Sequence, residues 1–191
     1  MLQKKYECVL IGVSAGGMTA LQQILPFLPQ NFSLPIVIVQ HLHPHQGNFH
    51  IKFYSSKCQV LVSEATEQSA ILAGNVYFAP ANYHLLIEES KVFSLSVDPK
   101  VNFSRPSIDV LFESAIEAYG DKLVAIILTG ANNDGAKSLK MLHDAGGFTI
   151  VQDPSEAEVD AMPKNAIKLH NPSKVLKLNE IKDFLLALHV H

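Results

Sequence analysis

Short runs of aliphatic and β-branched residues alternate along this chain with longer amphipathic stretches, and that alternation constrains the fold most. Cys8-Val9-Leu10-Ile11, Ile36-Val37-Ile38-Val39 and Lys122 to Thr129 read as buried strands. Shorter strands are predicted at Val60 to Val62, Val76 to Phe78, Leu85 to Ile87, Val92 to Ser96, Phe148 to Val151 and Val175-Leu176. Between them, Met18 to Leu28 sets Leu21, Ile24, Leu25 and Leu28 on one helical face, with Pro26 kinking or shortening the last turn. A helix is also predicted around Phe49 to Ser55. Pro106 to Tyr119 repeats apolar residues at Ile108, Leu111, Phe112 and Ala115, with Pro106 fitting the first turn. Gly135 to Ala145 forms a helix ended by Gly146-Gly147, and Pro163 to Leu169 and Glu180 to Leu188 complete the set. The pattern predicts one α/β domain over residues 1–191, with a doubly wound, mostly parallel sheet in a Rossmann-like three-layer architecture. The Leu61 to Ser96 segment is expected to add antiparallel strands at one edge, the polar Glu88 to Lys91 joining two of them as a hairpin.

Composition narrows the functional classes. At 191 residues, 48% apolar and 17% charged, the chain has material for a packed core and is not a disordered segment. A net charge of −3 provides no basic field for nucleic acid or anionic lipid. No apolar run approaches the ~18 residues of a membrane span; the longest is Leu123 to Leu128. The stretch from Met1 to Glu7 lacks the apolar core of a signal peptide. Cys8 and Cys58 are too few for a disulfide framework. A soluble, cytoplasmic protein without membrane insertion is expected.

Open parallel sheets form their sites at the carboxyl ends of strands, and three predicted ends carry polar residues. Gly12-Val13-Ser14-Ala15-Gly16-Gly17 follows the first strand and precedes a helix, so Ser14 could be exposed on a tight turn beside backbone N–H groups. It could equally be a glycine-rich turn without chemistry. A dinucleotide loop would need a glycine at Ser14 and an acid about 20 residues later, yet no Asp or Glu stands between Glu7 and Glu64. The Gly-Lys-Ser/Thr ending of a phosphate loop is missing too. His41 ends the second strand. With His43 and His45 it could suggest a metal site, although Pro44 breaks the extended spacing. Asp134, in Thr129-Gly130-Ala131-Asn132-Asn133-Asp134-Gly135, could simply cap the next helix, and Asn132 and Asn133 suit positive-φ turns.

Together, these ends offer a serine, a histidine and an aspartate. A hydroxyl is a weak nucleophile until a histidine takes its proton, and a carboxylate must orient that histidine and stabilise its charge. The chain order Ser, His, Asp differs from that of α/β-hydrolases. Other candidates have plainer readings. Arg105 could steer an acidic partner, position an ester or make a surface ion pair. His84 fits a strand start, Asp109 and Glu113 a solvated helix face, and His189 and His191 a frayed terminus.

From about Val9 to Ile167 the sequence resembles the catalytic domain of CheB-type protein-glutamate methylesterases of bacterial chemotaxis. The resemblance rests on Ile11 to Gly17, Gln40-His41, Val76-Tyr77-Phe78-Ala79-Pro80 with His84, and Arg105-Pro106-Ser107-Ile108-Asp109-Val110-Leu111-Phe112. It continues through Ile127 to Gly130, Asn133-Asp134-Gly135-Ala136, Ala145-Gly146-Gly147, Thr149 to Asp153 and Met162 to Ile167. It implies Ser14 as nucleophile, His41 as general base and acid, and Asp134 as orienting carboxylate. Backbone N–H groups near Ala15 and Ala131 would hold the oxyanion, with Arg105 a candidate for the substrate side. The implied reaction is hydrolysis of γ-glutamyl methyl esters on the cytoplasmic helices of chemoreceptors, often with glutamine deamidation, and no metal or organic cofactor.

The family usually has threonine at Ala15, Met-Gly at Ala131-Asn132, proline at His43 and glycine at Ala161, all in loops near the implied site. Most members carry an N-terminal receiver domain, for which a strand starting within ten residues leaves no room here. A receiver-domain protein acting in trans is therefore an expected regulatory partner. Beside the methylesterase reading stand a serine esterase on another substrate and a catalytically silent domain that binds receptors or signalling proteins.

Overall fold

The computed structural model describes residues 6–41 and 49–189. Along the chain run β1 (Cys8–Val13), α1 (Gly17–Gln22), β2 (Ile36–Gln40), α2 (Phe49–Ser55), β3 (Leu61–Glu64) and β4 (Asn75–Phe78). The hairpin β5 (His84–Ile87) and β6 (Phe93–Ser96) follows, then α3 (Ile108–Tyr119), β7 (Leu123–Ile127) and α4 (Ala136–Asp144). The chain closes with β8 (Phe148–Gln152), α5 (Ala161–Leu169), β9 (Lys174–Leu176) and α6 (Leu178–His189). The main sheet has the order β3-β4-β2-β1-β7-β8-β9, and every neighbouring pair is parallel.

Alternate residues of β1 enter opposite cores. Cys8 and Leu10 join Val37, Val39 and Ala125 against α3, α4 and α5, whereas Val9, Ile11 and Val13 join Ile36, Ile38 and Val124 against α1, α2 and α6. This explains why β1, β2 and β7 are apolar without alternation: both faces are covered. Full burial of each Val, Leu or Ile contributes roughly 1.5–3 kcal/mol relative to exposure, far more than screened surface ion pairs add. The strand order reverses at β1. The chain first winds to one side through β2, β3 and β4, then returns by way of the hairpin and α3 to β7 on the other side. The crevice at such a reversal is where open α/β sheets place ligands.

Several elements differ from the sequence expectation. The first helix stops at Gln22, and Pro26 opens a separate 3-10 turn, Leu25–Phe27. Leu21, Ile24, Leu25 and Leu28 are still buried together. Within the Leu61 to Ser96 segment only β5 and β6 are antiparallel, forming a two-stranded sheet of their own against α3. By contrast, β3 and β4 are parallel members of the main sheet, because residues 65–74 cross back between them instead of turning tightly. Helix α3 starts at Ile108 rather than Pro106; Ser107, extended at φ −110° and ψ 139°, takes the cap position. Neither Asn132 nor Asn133 has positive φ, and the left-handed residue of that loop is Gly135 at φ 86°.

Gly12 and Gly135 form the slot that brings α3 to the sheet edge. A Cβ at Gly12 would lie 2.5 Å from Ile108 Cγ2, and one at Gly135 would lie 2.5 Å from the same atom and 2.7 Å from Ile127 Cδ1. The first residue of α3 thus plugs between the ends of β1 and β7. Gly135→Ala adds a methyl to this slot at a left-handed position. It is expected to lower the unfolding free energy by about 2–4 kcal/mol, combining backbone strain and overpacking. An unchanged urea midpoint would show that the slot is not tight.

Candidate active site

The pairing of β1 with β2 sets Val13 opposite Gln40, and the His41 N–H continues the ladder by donating to Val13 O at 3.0 Å. Ser14 and His41 therefore leave the sheet side by side. The Ser14 N–H donates across to Thr129 O at 3.0 Å, tying it equally to the end of β7. Gly17 N–H donates to Ser14 O at 2.9 Å, and Gly16 sits at φ 79° and ψ −1°, so residues 14–17 form a type II turn leading into α1. Thr129 Oγ accepts from Val159 N–H at 2.9 Å and donates to Ala15 O at 2.8 Å, fixing the turn from behind. Ser14 stays half-buried, and its hydroxyl makes no hydrogen bond with a described residue. The N–H groups of the exposed Ala15 and Ala131 are likewise unused among the described residues.

Asp134 organises the rest. It is not the cap of the following helix, as the sequence allowed; Gly135 holds that position. Its carboxylate turns instead to the start of α3, 26 residues back in the chain. Oδ1 accepts from Ser107 Oγ at 2.8 Å, Asn102 Nδ2 at 3.0 Å and Asp109 N–H at 3.1 Å. Oδ2 accepts from Ile108 N–H at 2.7 Å and His41 Nε2 at 3.0 Å. The two backbone donors belong to a helix N-terminus, whose free N–H groups and dipole favour negative charge. Burial pushes the Asp134 carboxyl up, but the bonds from His41, Asn102, Ile108 and Ser107 outweigh it and hold it below the ordinary value.

An ionised Asp134 makes His41 Nε2 the protonated nitrogen and leaves Nδ1 free as a base. Asn132 lies against that nitrogen: its Oδ1 accepts from Asp134 N–H at 3.1 Å, which turns its Nδ2 toward His41 Nδ1 at 3.5 Å. Asn165 Nδ2 donates to Asn132 O at 3.2 Å and steadies this loop. Chemically, the grouping offers a base of fixed tautomer on the strand end next to the one that carries a primary hydroxyl.

Not every residue singled out from the sequence joins it. Arg105 Nη1 donates to the carbonyls of Val97 and Asp98 at 2.6 and 2.9 Å, clasping the loop between β6 and α3. His84 does start β5, and is buried: Nδ1 accepts from Ser107 N–H at 3.3 Å and Nε2 donates to Pro99 O at 3.1 Å. His43 and His45 lie outside the described residues; among those described, no cluster of three or more His, Cys, Asp or Glu could hold a metal.

Asp109 corrects a sequence expectation. It is 5% exposed, not solvated, and accepts from Ser138 N–H and Oγ at 2.9 and 2.7 Å and from Asn102 Nδ2 at 2.8 Å. Burial pushes its carboxyl up. The Asn102 amide thus joins the two carboxylates. Glu113, its expected partner on a polar face, pairs outside with Lys137 at 3.0 Å. Asn102, Ser107 and Ser138 were missed. Only Ser107, as a helix-cap residue type ahead of an amphipathic run, carries a local signal.

A hydroxyl, an imidazole and an imidazole-bound carboxylate at one edge of a doubly wound sheet is the grouping that serine hydrolases use. The chain belongs to the CheB methylesterase family, whose pattern matches residues 9–185. It is similar to the Thermotoga maritima CheB methylesterase catalytic domain, with a TM-score of 0.91 and 35% identity over 96% of this chain and 99% of that one. A Leptospira interrogans protein provisionally named protein-glutamate methylesterase/protein-glutamine glutaminase is 50% identical over 96% of this chain and 95% of its own length. A Symbiobacterium thermophilum protein-glutamate methylesterase/protein-glutamine glutaminase is 37% identical over 92% of this chain and 48% of its own length. No described helix is long and apolar enough to cross a membrane.

Proposed function

We infer that Ser14, His41 and Asp134 act as a triad that hydrolyses methyl esters of glutamate on the cytoplasmic helices of a transmembrane chemoreceptor. The 3.0 Å bond from His41 to a carboxylate already held by four further donors carries this reading, since it fixes the tautomer that a general base needs. Ser14 Oγ attacks the ester carbonyl and His41 Nδ1 takes its proton, while the charge on the imidazole is balanced by Asp134. The oxyanion is held by the N–H groups of Ala15 and Ala131; one such donor is worth roughly 10²–10³ in rate. Collapse expels methanol, protonated by His41, and leaves a γ-glutamyl ester on Ser14. Water, deprotonated by His41, then releases the glutamate and restores the serine. With a glutamine side chain the same steps expel ammonia instead.

Arg105 clasps a loop through Nη1 and in this reading is also the candidate cation for the substrate side. The site works in the cytoplasm, without a metal or organic cofactor. The test is methanol release from a methyl-esterified receptor fragment. One methanol per ester cleaved is expected; absence of release by folded protein would overturn the reading. Labelling of Ser14 by a fluorophosphonate would then separate an esterase of another substrate from a silent binding domain, which should not react.

A further inference from the structure

The loop that supplies Asn102 to the carboxylate also carries the most exposed large apolar residue described. Phe103 is 97% exposed. It sits in a tight turn in which Val101 N–H donates to Ser104 O at 3.1 Å and Ser104 N–H donates to Val101 O at 2.8 Å. Asn102 and Phe103, at φ 49° and 62°, are both left-handed, which makes this a type I′ turn. Asparagine followed by glycine is the favoured pair there. Asn102 obeys the rule and bonds Asp134, whereas the next position holds a bulky aromatic that neither folds inward nor suits the backbone.

Two further exposed apolar residues lie on the hairpin that precedes the turn. His84 pairs with Ser96, so Tyr83 and Val97 stand abreast at the end of the hairpin, 41% and 68% exposed. Arg105 holds the Val97 carbonyl, which brings this end of the hairpin back to the start of α3. A helix with its side chains is about 10–12 Å across. A helix that delivers one glutamyl ester to Ser14 must therefore also cover the rim around His41 and Asp134, of which the Phe103 turn is part.

We propose that Phe103, with Tyr83 and Val97, docks an apolar residue one turn away from the esterified glutamate on an amphipathic substrate helix. Residues three or four apart share a helix face, so one helix can present the ester to Ser14 and an aliphatic side chain to Phe103. The proposal deepens the methylesterase reading and rests on it for the identity of the helix.

Phe103→Gly tests it, because glycine is the residue the turn prefers and the fold is retained. In a Ser14→Ala background, affinity for a methyl-esterified receptor helix fragment is expected to fall about tenfold. In the active enzyme, kcat/KM for that fragment should fall about tenfold more than kcat/KM for 4-nitrophenyl acetate, with the change in KM. Equal losses on both substrates, or none on either, would overturn the docking role. So would a wild-type dimer that Phe103→Gly dissociates with fragment binding unchanged, since the patch would then serve a second copy of the chain. Fragment binding that depends on Phe103 but yields no methanol would keep the docking surface and refute the esterase. If the fragment is neither bound nor cleaved, both readings fail.

Discussion

Ser14→Ala is expected to reduce methanol release by about 10⁴-fold or more, because His41 and Asp134 have no function in this reaction without a nucleophile to activate. The same substitution should barely change stability. The Ser14 side chain is half-buried and makes no hydrogen bond with a described residue, and its N–H and C=O bonds to Thr129 and Gly17 are backbone bonds that alanine keeps. A change within about 0.5 kcal/mol is the usual result at such a position. Activity and folding can therefore be read separately: the unfolding midpoint should hold while methanol release and fluorophosphonate labelling both vanish. A variant that kept a tenth of the wild-type rate would remove Ser14 from the nucleophile's role, whatever its position at the end of β1.

The part of this arrangement legible in the sequence is the part carried by local pattern. β1, β2 and β7 declare themselves because strands covered on both faces need apolar residues at every position, and Ser14 and His41 are legible as the polar residues that end two of them. Direction within the sheet is not a local property. Nothing in Leu61 to Glu64 or Asn75 to Phe78 distinguishes a parallel neighbour from an antiparallel one, and the crossover between them decided it. Asp134 is the instructive residue. Its place before α4 predicts a cap, yet Gly12 and Gly135 open the slot that seats Ile108, and the N-terminus of α3 then outcompetes that of α4 for the carboxylate. Asp109 fails for a related reason: Ser138 is 29 residues away and Asn102 lies off the helix in a turn, so its polar character alone suggested solvent. Motif resemblance located the Arg105 to Phe112 block without saying what it does. Its physical work is to aim a helix N-terminus and Ser107 at Asp134, while Arg105 ties down the loop in front.

The second large effect is expected at Asp134. Asp134→Asn keeps the size of the side chain but replaces an acceptor-only group, which meets five donors, by one oxygen and one amide nitrogen. If the amide oxygen takes the Oδ1 position, its NH2 group confronts Ile108 N–H and His41 Nε2. The imidazole must then move its proton to Nδ1, and the nitrogen that should deprotonate Ser14 is no longer a base. In the opposite orientation the NH2 group confronts Ser107, Asn102 and Asp109 N–H, so no orientation satisfies the site. Turnover is expected to fall about 10³–10⁴-fold, and stability at pH 7 by about 2–4 kcal/mol, since buried donors lose their acceptor. The pH dependence has a definite sign. Because the folded protein holds the Asp134 carboxyl below its ordinary value, its stabilisation is fully present above the unfolded value of about 3.9 and is lost as pH falls through the folded one. Unfolding free energies of the two proteins should therefore differ most at neutral pH and converge in acid. A constant difference down to the acid transition would mean that Asp134 contributes shape alone, and a variant with wild-type turnover would mean that the helix N-terminus, rather than the histidine, is the reason for the carboxylate.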